Sequence, residues 1–135
     1  MITTSTDILT IPCSFARPPI LKNDNLSRWP LHRARTALSD EAIWWVRAAR
    51  KALAGSGWVI PIAEPIQVRL IWTVTTARTR DSSGPQPTLD AFIDGLVRGG
   101  LIKGDQHQIV ARAFPEIELR RGAVQACRVE ITRAS

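Results

Sequence analysis

The chain has few cysteines, and it lacks any long apolar run. Only Cys13 and Cys127 occur among its 135 residues, far apart in the sequence. This spacing fits buried thiols in a reducing compartment better than a disulfide framework. A membrane-spanning helix needs about 18 successive apolar residues, and no such run is present. Residues 1–13 also lack the basic and apolar regions of a signal peptide, so we expect a cytoplasmic protein with no membrane partner.

Tyrosine is absent and lysine is scarce, whereas arginine is abundant. Eighteen basic residues, 15 of them arginine, face 12 acidic ones, which gives a net charge of +6. A GC-rich genome would raise arginine over lysine, but it would not produce the surplus of positive charge. Such a surplus favours polyanion partners, because each phosphate that is neutralised releases counterions. Arginine also binds phosphate through two parallel hydrogen bonds. The composition therefore predicts a nucleic-acid partner.

The hydrophobic pattern predicts one α+β domain. Hydrophobic residues make up 44% of the chain, which is typical of a globular domain of this length. Strands are predicted at Ile8–Cys13, Ile66–Val74, Ile109–Phe114 and Gln125–Thr132, and helices from Ser39 to about Leu53 and from Pro87 or Thr88 to Gly99. This β-α-β-α-β-β order predicts a mixed sheet flanked by two helices.

The clearest signals come from one strand and two helix boundaries. Apolar residues recur at every second position from Ile66 to Val74. Ser39 fits a helix N-cap, because acidic residues follow it in the first predicted turn. The second helix has a predicted buried face of Leu89, Phe92, Ile93, Leu96 and Val97.

Two segments carry candidate functional residues. Residues 20–38 hold Arg28, Trp29, His32, Arg33 and Arg35. Basic side chains interleaved with an aromatic one favour a nucleic-acid contact surface, although a solvated loop with Trp29 in the core fits equally well. Residues 78–105 form a basic loop, a helix and a second loop, with an acid in each loop. This order is common in α/β domains, but it also suits a metal-dependent nuclease that gathers separate carboxylates.

Residues 78–110 resemble the RusA family of Holliday-junction resolvases, particularly its phage-encoded members. That family has a basic run, an Asp-x-Asp-Asn motif, a helix with a lysine and a later Asp-Gly-Leu, a glycine break and a further aspartate. The matching residues are Arg78, Arg80, Asp81, Pro87-Thr88-Leu89, Ile93-Asp94-Gly95-Leu96-Val97, Gly100 and Asp105. The segment with Arg17-Pro18-Pro19, Asn23-Asp24-Asn25-Leu26, Arg28-Trp29 and Arg33-Ala34-Arg35 is also similar to the family. The resemblance therefore extends over nearly the whole chain.

The resemblance implies a homodimeric, Mg²⁺-dependent endonuclease that resolves four-way DNA junctions in recombination and repair. It implies a phage or prophage protein that acts in the cytoplasm of a bacterial host. Asp81 and Asp105 would bind Mg²⁺, for which Mn²⁺ would substitute. Residues that contact the branched DNA would be Arg28, Arg33, Arg35, Arg78, Arg80 and Lys103.

Three positions depart from the family motif. Ser83 stands in place of the second aspartate, Gly84 in place of the asparagine, and Asp90 in place of the helix lysine. Asp90 could supply a replacement catalytic carboxylate, or it could simply be an acid that the helix dipole favours in a first turn. These departures favour an alternative, a protein that binds branched DNA without cleaving it. A third interpretation is a protein-interaction module that keeps the fold and uses exposed tryptophans.

Overall fold

Five strands form one mixed sheet, and two longer helices stack together against its apolar face. The computed structural model describes residues 1–134. The elements are β1 (Thr3–Thr4), β2 (Ile8–Pro12), α1 (Arg28–Ala48), α2 (Arg50–Ala54), β3 (Ile66–Val74), α3 (Gln86–Arg98), β4 (Val110–Leu119) and β5 (Ala126–Arg133). The strand order is β1-β2-β5-β3-β4, and only the β3–β4 pair is parallel. The predicted α+β class with a mixed sheet is confirmed.

Helix α1 begins at Arg28, so the predicted start at Ser39 is wrong. Ser39 is buried in the middle of α1, where its hydroxyl donates a hydrogen bond to Asp94 Oδ2 at 3.1 Å. Pro30 does not break the helix because it lies in the first turn, where its missing N–H would have no partner anyway. The alternative that placed Trp29 in the core is also wrong, since its side chain is exposed.

Other boundaries differ less. The predicted first helix is interrupted at Ala49 and ends as the short α2. β4 continues beyond the predicted end at Phe114 and reaches Leu119. β3 spans its predicted bounds, Ile66–Val74. No helix among residues 1–134 has both the length and the apolar character that crossing a bilayer requires.

Helices α1 and α3 pack closely through Gly95. A Cβ atom at this position would lie 2.2 Å from the carbonyl oxygen of Ser39 and 2.7 Å from Ala42 Cβ. A side chain of any size would therefore push the helices apart. The predicted buried face of α3 is confirmed at Leu89, Phe92, Ile93 and Leu96, whereas Val97 is only half-buried.

The two cysteines are free thiols, at the facing ends of β2 and β5, and Cys127 is buried.

The sheet face that points away from this core carries a chain of ion pairs. Arg69 pairs with Glu116 and Glu130, and Arg128 pairs with Glu130 at 3.0 Å and with Glu118 at 3.3 Å. Burial by itself would raise the pKa of Glu130. Hydrogen bonds from Arg128 and Arg69, together with their charges, outweigh that effect and hold its pKa below the ordinary value. Glu118 has a lowered pKa for the same kind of reason.

We expect this ion-pair chain to make the fold sensitive to acid. A carboxylate whose pKa is lower in the folded state than in the unfolded state stabilises the fold above its unfolded pKa, near 4.5 here, and loses that contribution as the pH falls through its folded value. Glu130→Gln should cost about 1–3 kcal/mol at pH 7 and much less at pH 3. Urea unfolding at both pH values measures this. An equal loss at pH 7 and pH 3 would contradict the expectation, and Asp7→Asn, outside the chain of pairs, is the control.

Candidate active site and nucleic-acid interface

The loop after β3 is folded around Asp81. The Asp81 carbonyl oxygen accepts a hydrogen bond from the Gly84 N–H at 3.0 Å, and its Oδ1 accepts bonds from the Ser83 N–H and hydroxyl, both at 3.0 Å. A Cβ atom on Gly84 would lie only 3.0 Å from the same carbonyl oxygen. The serine and glycine that depart from the family motif therefore close a tight turn that presents Asp81.

Asp81 is ionised at neutral pH. The Ser83 N–H and then the Ser83 hydroxyl lower its pKa below the usual range, and the charge of Lys22 adds to the effect. Its side chain lies at the surface, so the carboxylate is open to solvent. Both hydrogen bonds from Ser83 end on Oδ1. The carboxylate thus presents Oδ2, in its charged form, to anything that approaches this loop.

A cavity of about 200 Å³ separates this loop from the segment that follows Ile20. The Lys22 N–H donates to the Gly84 carbonyl at 2.8 Å and joins the two segments. The polar residues that line the cavity are Asn23, Asp24, Thr79, Arg80 and Asp81. Asp24 is a second carboxylate at this cavity, and it was not among the predicted site residues. Its only signal in the sequence is its place in the Asn23-Asp24-Asn25 segment of the family resemblance.

The surroundings of Asp24 and Arg80 are ordered by local hydrogen bonds. Asp24 Oδ2 accepts the Leu21 N–H at 3.0 Å, and Oδ1 lies 3.7 Å from Arg17 Nη2. Arg80 Nη1 donates to the carbonyl oxygens of Thr76 and Arg78, which folds its side chain back along its own loop. These contacts stabilise the positions of the Asp24 and Arg80 side chains at the cavity.

Trp72 also lines this cavity. Its side chain is buried, and its Nε1 has no hydrogen-bond partner within residues 1–134. The Arg80 guanidinium lies 5.5 Å from the centroid of its ring. An unpaired buried N–H costs roughly 1–3 kcal/mol of stability.

Asp90 lines a different groove from Asp81. It lies in the second turn of α3, so the predicted first-turn position is wrong. Its Oδ1 accepts a hydrogen bond from the Gln86 side-chain amide at 2.9 Å. The groove, of about 420 Å³, runs between α1 and α3 and is also lined by Arg35 and Asp94. Arg35 therefore faces the acids of α3. None of the residues that line the cavity beside Asp81 lines this groove.

Asp105 and Lys103 lie at the other end of β3. Because β3 and β4 are parallel, the loop after β3 and the loop before β4 are at opposite ends of the strands. The Ile66 N–H donates to the Ile109 carbonyl at 2.7 Å, and Trp72 is about 20 Å farther along the extended strand. One chain therefore does not bring Asp105 to Asp81. Among residues 1–134, no three acidic, histidine or cysteine side chains form a group that could hold a metal ion.

No model of a known protein family matches this chain. A comparison with curated proteins likewise finds no match. The resemblance to the RusA family therefore rests on the residues and motifs quoted above.

Exposed basic residues lie in the N-terminal part of α1 and in the Asp81 loop. Arg28, Arg33 and Arg78 are all exposed, and none of them forms an ion pair within residues 1–134. The Arg28 guanidinium lies 5.2 Å from the centroid of the exposed Trp29 ring. Free arginines of this kind can each form two hydrogen bonds with a phosphate. These residues make a candidate nucleic-acid interface.

Proposed function

We propose that the protein is a RusA-like, metal-dependent endonuclease that acts on branched DNA. The observation that carries the proposal is that two acidic residues from distant segments, Asp81 and Asp24, line one small cavity. Mg²⁺ takes oxygen ligands, commonly one or two carboxylates with waters and substrate oxygens completing the set. Asn23 and Thr79, which also carry side-chain oxygens, line the same cavity. This set of donors suits a hard divalent cation.

Each residue at this cavity would have a separate role in the reaction. Asp81 and Asp24 would hold the cation, and Asp81 is kept in its charged form by Ser83. A bound Mg²⁺ would offset charge that develops on the phosphate and lower the pKa of the attacking water. Arg78 and Lys22 would position the phosphate beside it through charge-assisted hydrogen bonds. A homodimer with two-fold symmetry would supply two such sites for the two strands of a junction.

A second candidate function is binding of branched DNA without cleavage. Two observations favour it: Ser83 already donates two hydrogen bonds to Asp81, and residues 1–134 hold no group of three metal-binding side chains. A serine hydroxyl is a neutral and weaker ligand than a carboxylate. Binding would survive a weak metal site, because phosphate contacts supply most of the affinity.

One experiment separates the two functions. A labelled four-way junction is incubated with the native chain, Ser83→Asp or Asp24→Asn, in Mg²⁺, in Mn²⁺ and in EDTA. Metal-dependent nicks from the native chain that fall at least tenfold in Asp24→Asn would support the nuclease with this pair of ligands. Binding without nicks, with cutting gained by Ser83→Asp, would support the second candidate. Failure to bind the junction in low salt would reject both.

Asp105→Asn adds a further arm to the same assay. Since Asp105 lies far from Asp81 within one chain, a loss of nicks in this variant would mean that Asp105 acts at the cavity of another copy. Unchanged nicks would remove Asp105 from the cleavage site and leave its predicted role in metal binding without support.

A further inference from the structure

Helix α1 carries an exposed line of residues that the proposed cleavage site does not use. These residues, which we call the tryptophan stripe, are Trp29, Arg33, Thr36, Asp40, Trp44 and Arg47. Their spacing of three, four or seven residues places them on one side of the helix. All six are exposed, and Trp29 and Trp44 are 62% and 59% exposed. The other side of α1 contributes Leu38, Ala42 and Val46 to the core.

The two tryptophans are large aromatic side chains on the exposed side of a helix whose other side contributes to the core. Each ring contacts a neighbouring aromatic side chain. Trp29 stands edge-on to His32, with 6.3 Å between ring centroids, and Trp44 stands edge-on to Trp45 at 4.9 Å. A groove of about 390 Å³ lies beside Trp44 and is also lined by Asp40 and Arg47. Trp44 thus stands beside open space, whereas the Trp29 ring, which is largely exposed, has the Arg28 guanidinium 5.2 Å from its centroid.

The charge of the stripe fits a polyanion. Arg33 and Arg47 form no ion pair within residues 1–134, and Asp40 is the one acid among the six. Aromatic surfaces alternating with free arginines are the combination by which proteins bind single-stranded nucleic acid, since bases stack on the rings and phosphates meet the arginines. A duplex offers the same phosphates but hides the faces of its bases.

We propose that the tryptophan stripe binds a single-stranded arm or flap of branched DNA, with Trp29 and Trp44 stacking on bases and Arg33 and Arg47 contacting phosphates. This inference rests on the proposed function, because it names the part of the substrate that α1 recognises. Fifteen residues of helix separate the two tryptophans by about 22 Å. At about 3.4 Å per nucleotide, that distance corresponds to roughly six nucleotides of one strand. Recognition would tolerate any sequence, because every base has a face that can stack.

The test compares a single-stranded oligonucleotide with a duplex of equal length, in EDTA so that no cleavage occurs. The double variants are Trp29→Leu with Trp44→Leu, which keeps apolar bulk, and Trp29→Phe with Trp44→Phe, which keeps a ring. We expect the Leu variant to lose at least about fivefold in affinity for the single strand, with little change for the duplex. The Phe variant should stay near native affinity. Quenching of tryptophan fluorescence by the single strand should be lost in the Leu variant.

Asp40→Asn is a second, independent arm. Removing the one acid of the stripe should tighten binding of the single strand and make its affinity more dependent on salt. Circular dichroism of each variant checks that the helix is intact, which we expect because the replaced side chains lie outside the core.

Equal affinities of the native and Leu variants for the single strand would overturn the inference. So would an equal loss for single strand and duplex, because that pattern indicates a contact with phosphates and not with bases. A change in self-association of the Leu variants without a change in DNA affinity would assign the stripe to a protein contact instead. Since the test contains no metal, its outcome is independent of whether the Asp81 cavity cleaves DNA.

Discussion

Replacing Asp81 with asparagine should lower the rate of junction cleavage about 100-fold or more, while the affinity for the junction stays the same. A cation at a phosphate contributes several kcal/mol of charge stabilisation, and each 1.4 kcal/mol is a factor of ten in rate. The amide removes the negative charge that would hold the proposed cation. It keeps one oxygen that can accept the hydrogen bonds of Ser83, so the turn that presents residue 81 should persist.

The measurement is the single-turnover rate of nicking at saturating protein, with binding followed separately by a mobility-shift assay in EDTA. Asp7→Asn is the matched control, because it makes the same chemical change at an exposed position away from the cavity. A native rate in Asp81→Asn would exclude the cavity as the cleavage site. A parallel fall in affinity would show that Asp81 acts through the fold or through DNA binding, and not through the metal.

Replacing Gly95 with alanine should destabilise the fold by roughly 3 kcal/mol and lower the melting temperature by about 10 °C. The added methyl group would overlap the carbonyl oxygen of Ser39 and the Cβ of Ala42. Backbone and a short side chain cannot rotate away, so α1 and α3 would have to separate. The better helix propensity of alanine, worth about 1 kcal/mol, would offset only part of this cost.

Thermal unfolding followed by circular dichroism measures the effect. Gly55→Ala is the control, because a Cβ atom there meets nothing within 4 Å and the backbone φ of −101° suits any residue. Its melting temperature should change by no more than about 2 °C. A native melting temperature in Gly95→Ala would mean that the two helices do not approach each other as closely as this packing requires. The close packing of α1 and α3 thus explains why a glycine stands in the Asp-Gly-Leu motif, independently of any role in catalysis.

The elements that the sequence predicted well are those with an unbroken local pattern. β3 alternates apolar and other residues from Ile66 to Val74, so its bounds follow from the pattern itself. The buried face of α3 follows from its helical spacing, with Pro87 and Gly99 near its ends. The start of α1 could not be read in this way. Pro30 is a residue that usually ends a helix, and Ser39 is one that usually begins a helix. The burial of Ser39 depends on α3, which follows much later in the chain.

The candidate site shows a limit of another kind. The positions of Asp81 and Asp105 in the sequence do not reveal whether β4 runs parallel or antiparallel to β3, and that direction decides whether the two acids lie at one end of the sheet or at opposite ends. Asp24 was missed for a related reason. Its approach to Asp81 depends on the hydrogen bond between Lys22 and Gly84, a contact between distant segments that no local pattern records.

The position of β4 at the margin of the sheet also bears on how the protein behaves at high concentration. An exposed strand of ten residues is a template onto which a strand of another molecule can add. The Arg120 N–H, directly after β4, donates a hydrogen bond to the Val74 carbonyl on β3. Backbone N–H groups alternate between the two edges of a strand. The backbone nitrogen of Pro115, an odd number of residues earlier, therefore faces the free edge of β4. Proline offers no N–H to an incoming strand, and Arg112 and Glu116 add charge nearby. We expect β4 to resist the edge-to-edge pairing that leads to aggregation, and Pro115 to be the residue most responsible.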